Sequence, residues 1–253
     1  MMYSATDLNT IFDFSNYPVE IILDTSILEK LAVDTIKIIP AQYKSQLLDP
    51  KGMKQKDPYT DYMLNNTIID FNRNASYNCE VLLVRDGWGR NNNCMNHLSY
   101  VKFSKDLIDE YKKRREMLPI LYNAVHIRAT DKSQVYKGPI LEKAHAFIKD
   151  SILPVFVASD DSLKIARLEE LYGSKILKSE TTFYNTGGNL KAHQGGNLHQ
   201  FGTKESDVLK DAIIDLLLLA NAKRLILTTE RSGYSRLADF LCNNKDILNI
   251  FIS

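Results

Sequence analysis

Arg128 is the residue of this sequence best suited to bind an anion. It follows the apolar segment AVHI (residues 124–127) and precedes Asp131 and Lys132. A segment with the composition of a buried strand is therefore followed directly by several charged residues. A guanidinium is planar and permanently charged, and it can donate to two phosphate oxygens at once. The same residue types are also compatible with a structural ion pair between Arg128 and Asp131 or Asp160.

Polar residues follow two further apolar segments. Asp160 and Asp161 come after VFVAS (residues 155–159), and Ser232 comes shortly after LILTT (residues 225–229). A helix that opens at Ser232 would offer backbone N–H groups to a phosphate. Because ligands of open parallel sheets bind outside the carboxyl ends of the strands, all three polar segments are predicted to face one crevice. The mixture of cation, N–H groups and carboxylates suits a nucleoside diphosphate sugar.

The elements that would position these residues alternate between strand and helix. From residue 123 onward this alternation predicts a parallel sheet with helices on both faces. Short segments rich in Val, Ile and Leu without strict alternation are typical of strands buried on both faces. The predicted strands are residues 19–24, 79–84, 123–127, 153–159 and 224–229, and the predicted helices are residues 103–117, 140–150, 162–171, 208–221 and 232–242.

The chain is expected to divide near residue 122. Residues 1–122 are less regular, whereas residues 123–253 contain the alternation that predicts the parallel sheet. The segment GGNLKAHQGGNLHQ (residues 187–200) is polar and glycine-rich, which favours a mobile loop that could cover a site.

Composition excludes several classes of protein. The 253 residues carry a net charge of +1, so no nucleic-acid or membrane-surface partner is expected. Three widely spaced cysteines favour neither a disulfide framework nor a zinc site. No apolar run reaches about 18 residues and no signal peptide is recognisable, so we expect a cytoplasmic protein without a membrane span.

Three segments, in this order, resemble motifs of the α-1,6-fucosyltransferase and protein O-fucosyltransferase superfamily. HIRATDK (residues 126–132) is similar to the family's H-V-R-R-T-D-K segment, and VFVASDD (residues 155–161) to its second motif. The segment at residues 211–238 resembles the third motif, in which an Asp precedes an apolar helix, a strand and a serine-containing turn. The resemblance covers about the last 130 residues.

The resemblance implies an inverting, metal-independent glycosyltransferase with a GT-B-like fold. In this fold, residues 1–122 would form a reduced N-terminal α/β half on the acceptor side, and residues 123–253 would form the C-terminal Rossmann-like domain that binds the nucleotide sugar. It implies GDP-fucose as the donor, a glycan hydroxyl as the acceptor, and no cofactor beyond the nucleotide sugar. Carried over position by position, the donor-binding residues would be His126, Arg128, Lys132, Asp160, Asp161, Asp215, Ser232 and Ser235.

The resemblance also implies roles for the basic and hydroxyl side chains. Arg128 would hold the β-phosphate of the donor, and Lys132 would lie near the phosphates or the acceptor. Ser232 and Ser235 would donate to phosphate oxygens, whereas His126 would support Arg128.

The acidic residues would lie along the nucleotide. Asp160 and Asp161 would contact it directly, and Asp215 would anchor the base or brace the donor loop. Paired carboxylates can also bind Mg²⁺ together with phosphate, but Arg128 would supply the positive charge for which that ion is needed.

The sequence departs from the family pattern at two places. Ala129 stands where the family often has a second Arg, and Tyr136 and Lys137 stand where it has an acid. The base that must take the acceptor proton therefore stays open between Asp131, which we place in the catalytic set beside Arg128, and acids elsewhere in the chain. Those other candidates are Glu20, Asp24 and Asp86.

Three alternatives remain open from the sequence. The same fold could use another donor, such as a UDP-pentose. The chain could also be a nucleotide- or sugar-binding protein without activity. A phosphohydrolase of the haloacid type would use ILDTS (residues 22–26), but Ser26 stands where that motif needs its second Asp.

Overall fold

The computed structural model describes residues 10–13, 15, 102–128, 139–159, 161–179, 205–228 and 232–253, and the backbone of five short strands between residues 38 and 82. The chain forms two compact units. One comprises Met1–Val19 and Leu98–Ser253, and the other comprises Glu20–His97. The division that the sequence suggests at residue 122 stays a prediction.

Short strands make up the described part of the unit Glu20–His97. There, β2 pairs in parallel with β6, and β3, β4 and β5 form an antiparallel sheet. In the other unit, β1 pairs with β7, and a four-stranded sheet has the order β10-β9-β8-β11. The strands are β1 (Phe12–Asp13), β2 (Ile38–Ile39), β3 (Met53–Gln55), β4 (Tyr62–Leu64), β5 (Thr67–Ile69), β6 (Val81–Leu82), β7 (Lys102–Phe103), β8 (Asn123–Ile127), β9 (Val155–Ser159), β10 (Ile176–Leu177) and β11 (Leu225–Leu227).

The four-stranded sheet is parallel throughout and is covered on both faces. Every residue of β8 and β9 is buried, which explains why these segments are apolar without alternation. Successive side chains point to opposite faces, so Ala124 and Phe156 join one core cluster while Val125 and Val157 join the other.

Helices form the outer layers. The first core cluster lies between the sheet and α1, α4, α5 and α6, and the second lies between the sheet and α2 and α3. Residues 214–220 of α4 are all buried, as expected for a helix that is apolar nearly all round. The helices are α1 (Lys105–Glu116), α2 (Pro139–Asp150), α3 (Ser162–Tyr172), α4 (Glu205–Asn221), α5 (Gly233–Asn243) and α6 (Lys245–Ile252).

The predicted alternation of strands and helices after residue 122 is confirmed in its order. The sequence did not predict β10, which has two residues, or α6, which follows α5 after a single residue. The strand predicted at residues 19–24 and the loop at residues 187–200 lie outside the described residues. No helix in the described ranges is long and apolar enough to cross a membrane.

Candidate functional site

The carboxyl ends of β8 and β11 bring Arg128 and Ser232 together. Arg128 directly follows β8, and its Nη1 donates to Ser232 Oγ at 3.0 Å. The backbone N–H of Arg128 donates to Thr228 Oγ1 at 3.3 Å, and the Thr228 hydroxyl donates to the His126 carbonyl at 3.0 Å. Because β8 and β11 pair in parallel, residues that follow them must emerge at the same edge. The predicted proximity of these two strand ends is confirmed.

Ser232 is also the N-terminal cap of α5. Its backbone is extended, and its Oγ accepts a hydrogen bond from Ser235 N at 3.4 Å, which is the usual capping arrangement. A helix N-terminus carries partial positive charge and unpaired N–H groups. The contact between Arg128 and Ser232 therefore places a guanidinium beside the positive end of a helix. Such an arrangement can attract and stabilise an anion.

His126, on β8, is buried close to the contact between Arg128 and Ser232. Its Nδ1 is 2.7 Å from Ser235 Oγ, and its ring centroid is 4.8 Å from that of Tyr234 at an angle of 43°. The Tyr234 hydroxyl in turn donates to the Ala212 carbonyl at 2.8 Å. Ser235 is fully buried. These contacts join β8, α5 and α4 two residues before Arg128. Such a position agrees with the predicted role of His126 in supporting Arg128.

The carboxyl end of β9 supplies Asp161, which caps α3. Its Oδ1 accepts a hydrogen bond from Leu163 N at 3.0 Å, and its own N–H donates to Ser159 Oγ at 3.1 Å. Asp161 therefore lies at the same edge of the sheet as Arg128, one strand away. Its carboxylate has a structural task in addition to the predicted contact with a nucleotide.

Asp215 is the buried acid of this region. Its side chain on α4 is 7% exposed, and its Oδ1 has no hydrogen-bond partner in the structure. The side chain of Ser179, which follows β10, lies beside this carboxyl group. Burial, together with the negative charge of Asp211, raises the pKa of Asp215 to about 7, although Arg114 and Ser179 act in the opposite direction. A buried acceptor without a partner is costly, so Asp215 Oδ1 is poised to accept a donor.

Arg114, on α1, connects the acids around Asp215. Its Nη2 lies 2.7 Å from Asp211 Oδ1, its Nε lies 2.8 Å from Glu110 Oε1, and its Nη1 donates to Ser179 Oγ at 3.3 Å. The guanidinium contacts Ser179 and Asp211, whose side chains both lie near Asp215, and it forms no direct ion pair with Asp215. This leaves positive charge near the Asp215 carboxyl group without occupying Oδ1.

Several predicted site residues fall outside the described residues. They include Asp131, Lys132 and Asp160, and also the alternative bases Glu20, Asp24 and Asp86. Their roles stay predictions. Among the residues that the structure does describe, no group of three or more His, Cys, Asp or Glu side chains is arranged to hold a metal ion.

Sequence reasoning missed Thr228, Ser179, Arg114 and Asp211. In the sequence, Arg114 and Asp211 look like exposed charged residues on two separate helices. Their ion pair could not be predicted, because residues almost 100 positions apart form no local pattern. Thr228 could have been found, because it lies near the carboxyl end of the strand predicted at residues 224–229. Its hydroxyl joins the ends of β8 and β11.

Comparison with known proteins establishes the fold. No model of a known protein family matches the sequence, and no curated protein matches it. Solved structures do match. The α-1,6-fucosyltransferase NodZ co-crystallised with GDP aligns over 92% of this chain and 75% of its own, with a TM-score of 0.56 and 14% identity.

Two further structures agree with this result. The fucosyltransferase NodZ from Bradyrhizobium gives a TM-score of 0.57 at 14% identity, over 92% of this chain and 76% of its own. NodZ soaked with GDP-fucose gives 0.56 at 15% identity, over 92% and 75%. The chain therefore has the GT-B-like α/β fold of these fucosyltransferases, which confirms the predicted fold class.

Proposed function

We propose that this protein is an inverting, metal-independent glycosyltransferase that moves fucose from GDP-fucose to a glycan hydroxyl. The observation that carries the proposal is the 3.0 Å contact between Arg128 Nη1 and Ser232 Oγ at the shared carboxyl edge of β8 and β11. The fold likeness to a fucosyltransferase bound to GDP or soaked with GDP-fucose supports the choice of donor.

Arg128 and the N-terminus of α5 would receive the leaving diphosphate. In the transfer, the acceptor oxygen forms a bond to the anomeric carbon while the bond from that carbon to the β-phosphate oxygen breaks. The electron pair leaves with GDP, so negative charge develops on the phosphate. A fixed guanidinium and helix N–H groups stabilise such charge without reorganisation. They would supply the charge neutralisation that a bound metal gives in other transferases.

The guanine base would be held by Asp215. Guanine presents two adjacent donors, N1–H and the N2 amine, and a carboxylate accepts from both. Ser179 beside Asp215 follows β10, and Arg128 follows β8, two strands away in the sheet. Two strand spacings are about 10 Å. A base and a diphosphate joined by one ribose bridge a gap of this size.

The remaining assignments are part of the same proposal. Asp131 would take the acceptor proton as general base, Lys132 would lie near the phosphates or the acceptor, and Asp160 and Asp161 would line the nucleotide. His126 would position Arg128 through its contacts with α5. No cofactor is needed besides the nucleotide sugar, and we propose that the reaction takes place in the cytoplasm.

Nucleotide binding to Arg128 variants tests this proposal. GDP, UDP and dTDP would be titrated by calorimetry, with EDTA present, into the wild type, Arg128→Ala and Arg128→Lys. Arg167→Ala is the matched control, because Arg167 is an exposed arginine on α3 whose ion pair with Glu170 lies on the helix surface. A lost charge-assisted hydrogen bond costs about 1.5–3 kcal/mol. We therefore expect GDP to bind roughly 10- to 100-fold more weakly to Arg128→Ala.

The outcomes separate the open alternatives. Tight binding of UDP instead of GDP would replace GDP-fucose with a UDP-linked donor. Binding of GDP without release of GDP from GDP-fucose in the presence of a glycan panel would indicate an inactive binding protein. The site assignment is wrong if Arg128→Ala and Arg167→Ala bind GDP equally well.

A further inference from the structure

The contacts of Arg114 go beyond those of a structural ion pair. Its three donor nitrogens reach Glu110, Ser179 and Asp211, so α1 is joined to the end of β10 and to α4. The side chain is only 11% exposed. None of these contacts fills the unpartnered Oδ1 of Asp215. The network therefore borders a carboxyl group and leaves its buried Oδ1 without a hydrogen-bond partner.

The protonation state of Asp215 determines which nucleotide base it can bind by hydrogen bonds. An ionised carboxyl group presents acceptors only, which match the two adjacent donors of guanine. A protonated carboxyl group presents one donor and one acceptor, which match the N3–H and a carbonyl oxygen of uracil. The same side chain therefore favours one base or the other according to its charge.

We propose that Arg114 sets the donor-base specificity of the site by holding Asp215 as the carboxylate that selects guanine over uracil. This inference rests on the proposed function and assigns Arg114 as a positioning residue. It acts through Ser179, whose hydroxyl accepts from Arg114 and lies beside Asp215, and through the positive charge that it brings near Asp215.

The charges that face Asp215 come from two helices. Asp211, on the same helix, disfavours ionisation of Asp215, whereas Arg114, from α1, favours it. Glu110 on α1 shares Arg114 and weakens its effect. Ser179, from the end of β10, is uncharged and favours the ionised form of Asp215. The balance leaves the pKa of Asp215 at about 7, so small changes in these neighbours alter its charge near neutral pH.

The experiment measures the ratio of the dissociation constants of UDP and GDP as a function of pH. Titration of the diphosphate or of histidines affects both nucleotides alike, so the ratio isolates the base. With the pKa of Asp215 at about 7, the ionised fraction rises roughly tenfold between pH 6 and pH 8 and the protonated fraction falls by the same factor. The ratio in the wild type should therefore rise roughly tenfold if only GDP responds to the charge, and roughly 100-fold if both nucleotides do. Inosine diphosphate lacks the N2 amine and should bind with an affinity between those of GDP and UDP.

Two substitutions should move this transition in opposite directions. Arg114→Gln removes the favourable charge, so the rise in the ratio should shift to higher pH, and Arg114→Lys should restore part of it. Asp211→Asn removes the unfavourable charge and frees Arg114, so the rise should shift to lower pH. Circular dichroism verifies that each variant is folded. If Arg114 and Asp211 only stabilised the fold, both substitutions would weaken nucleotide binding. They would not shift the pH at which the ratio rises in opposite directions.

The inference is overturned if the ratio of the wild type does not change with pH, or if Arg114→Gln and Asp211→Asn shift it in the same direction. These results would leave the proposed function standing, provided that GDP binds and Arg128→Ala weakens its binding. If the wild type binds no nucleoside diphosphate at any pH, the proposed function itself fails.

Discussion

Replacing Asp215 with asparagine is expected to remove a pH-dependent cost from the free energy of unfolding. The buried carboxyl group has a pKa of about 7 in the folded protein, against an ordinary value of 3.8. Between these two values the folded chain binds more protons than the unfolded chain. Stability is therefore retained at low pH and falls as the pH rises through about 7.

The magnitude follows from the size of this shift. A change of about three pKa units corresponds to roughly 4 kcal/mol at pH values above both pKa values. Between pH 5 and pH 8 this cost to the free energy of unfolding increases by about 2 to 3 kcal/mol. Asparagine has nearly the same shape but no charge, so Asp215→Asn should be more stable relative to the wild type by this amount at pH 8 than at pH 5.

Urea denaturation followed by circular dichroism at several pH values is the suitable assay. All of the described helices belong to the unit that contains Asp215, whereas the single tryptophan, Trp88, lies in the unit Glu20–His97. Asp207→Asn is the matched control, because Asp207 is an exposed residue on the same helix. If the pH profiles of Asp215→Asn and the wild type run parallel, the pKa of Asp215 in the folded protein is not raised to about 7.

Two further predictions concern the site and the core. Gly233→Ala should fold normally, because nothing lies within 4 Å of the added methyl group, but it should weaken GDP binding several-fold by occupying space at the N-terminus of α5. Unchanged affinity in calorimetry would contradict a diphosphate at this helix. Leu218→Ala should lower the free energy of unfolding by about 2 to 5 kcal/mol, because Leu218 is fully buried in the first core cluster. The exposed Leu163→Ala should change it by less than about 0.5 kcal/mol, and similar losses in both variants would contradict the assigned core.

The sequence determined the central layer of the fold well. The segments NAVHI and VFVAS are apolar because both faces of their strands are covered, and this property is local to each segment. The sequence also placed Arg128 and Ser232 at the same edge, since parallel strands that pair side by side end together. Their contact at 3.0 Å follows from that topology.

Very short elements were predicted poorly. The strand β10 has two residues, too few for a periodic pattern, and it is a strand because it pairs with β9. Its position matters for function, because it brings Ser179 between Arg114 and Asp215. Tertiary pairing, and not local preference, defines this element.

The sequence by itself thus determined an α/β fold with charged and hydroxyl residues at the strand ends, because apolar periodicity and the residues after each strand are local features. Only the tertiary structure decided the state of Asp215. The burial of Asp215, the absence of a partner for its Oδ1 and the opposing charges of Arg114 and Asp211 depend on how α1, α4 and the end of β10 pack together. Electrostatic energies depend on distance and burial in space, and neither can be read from positions along the chain.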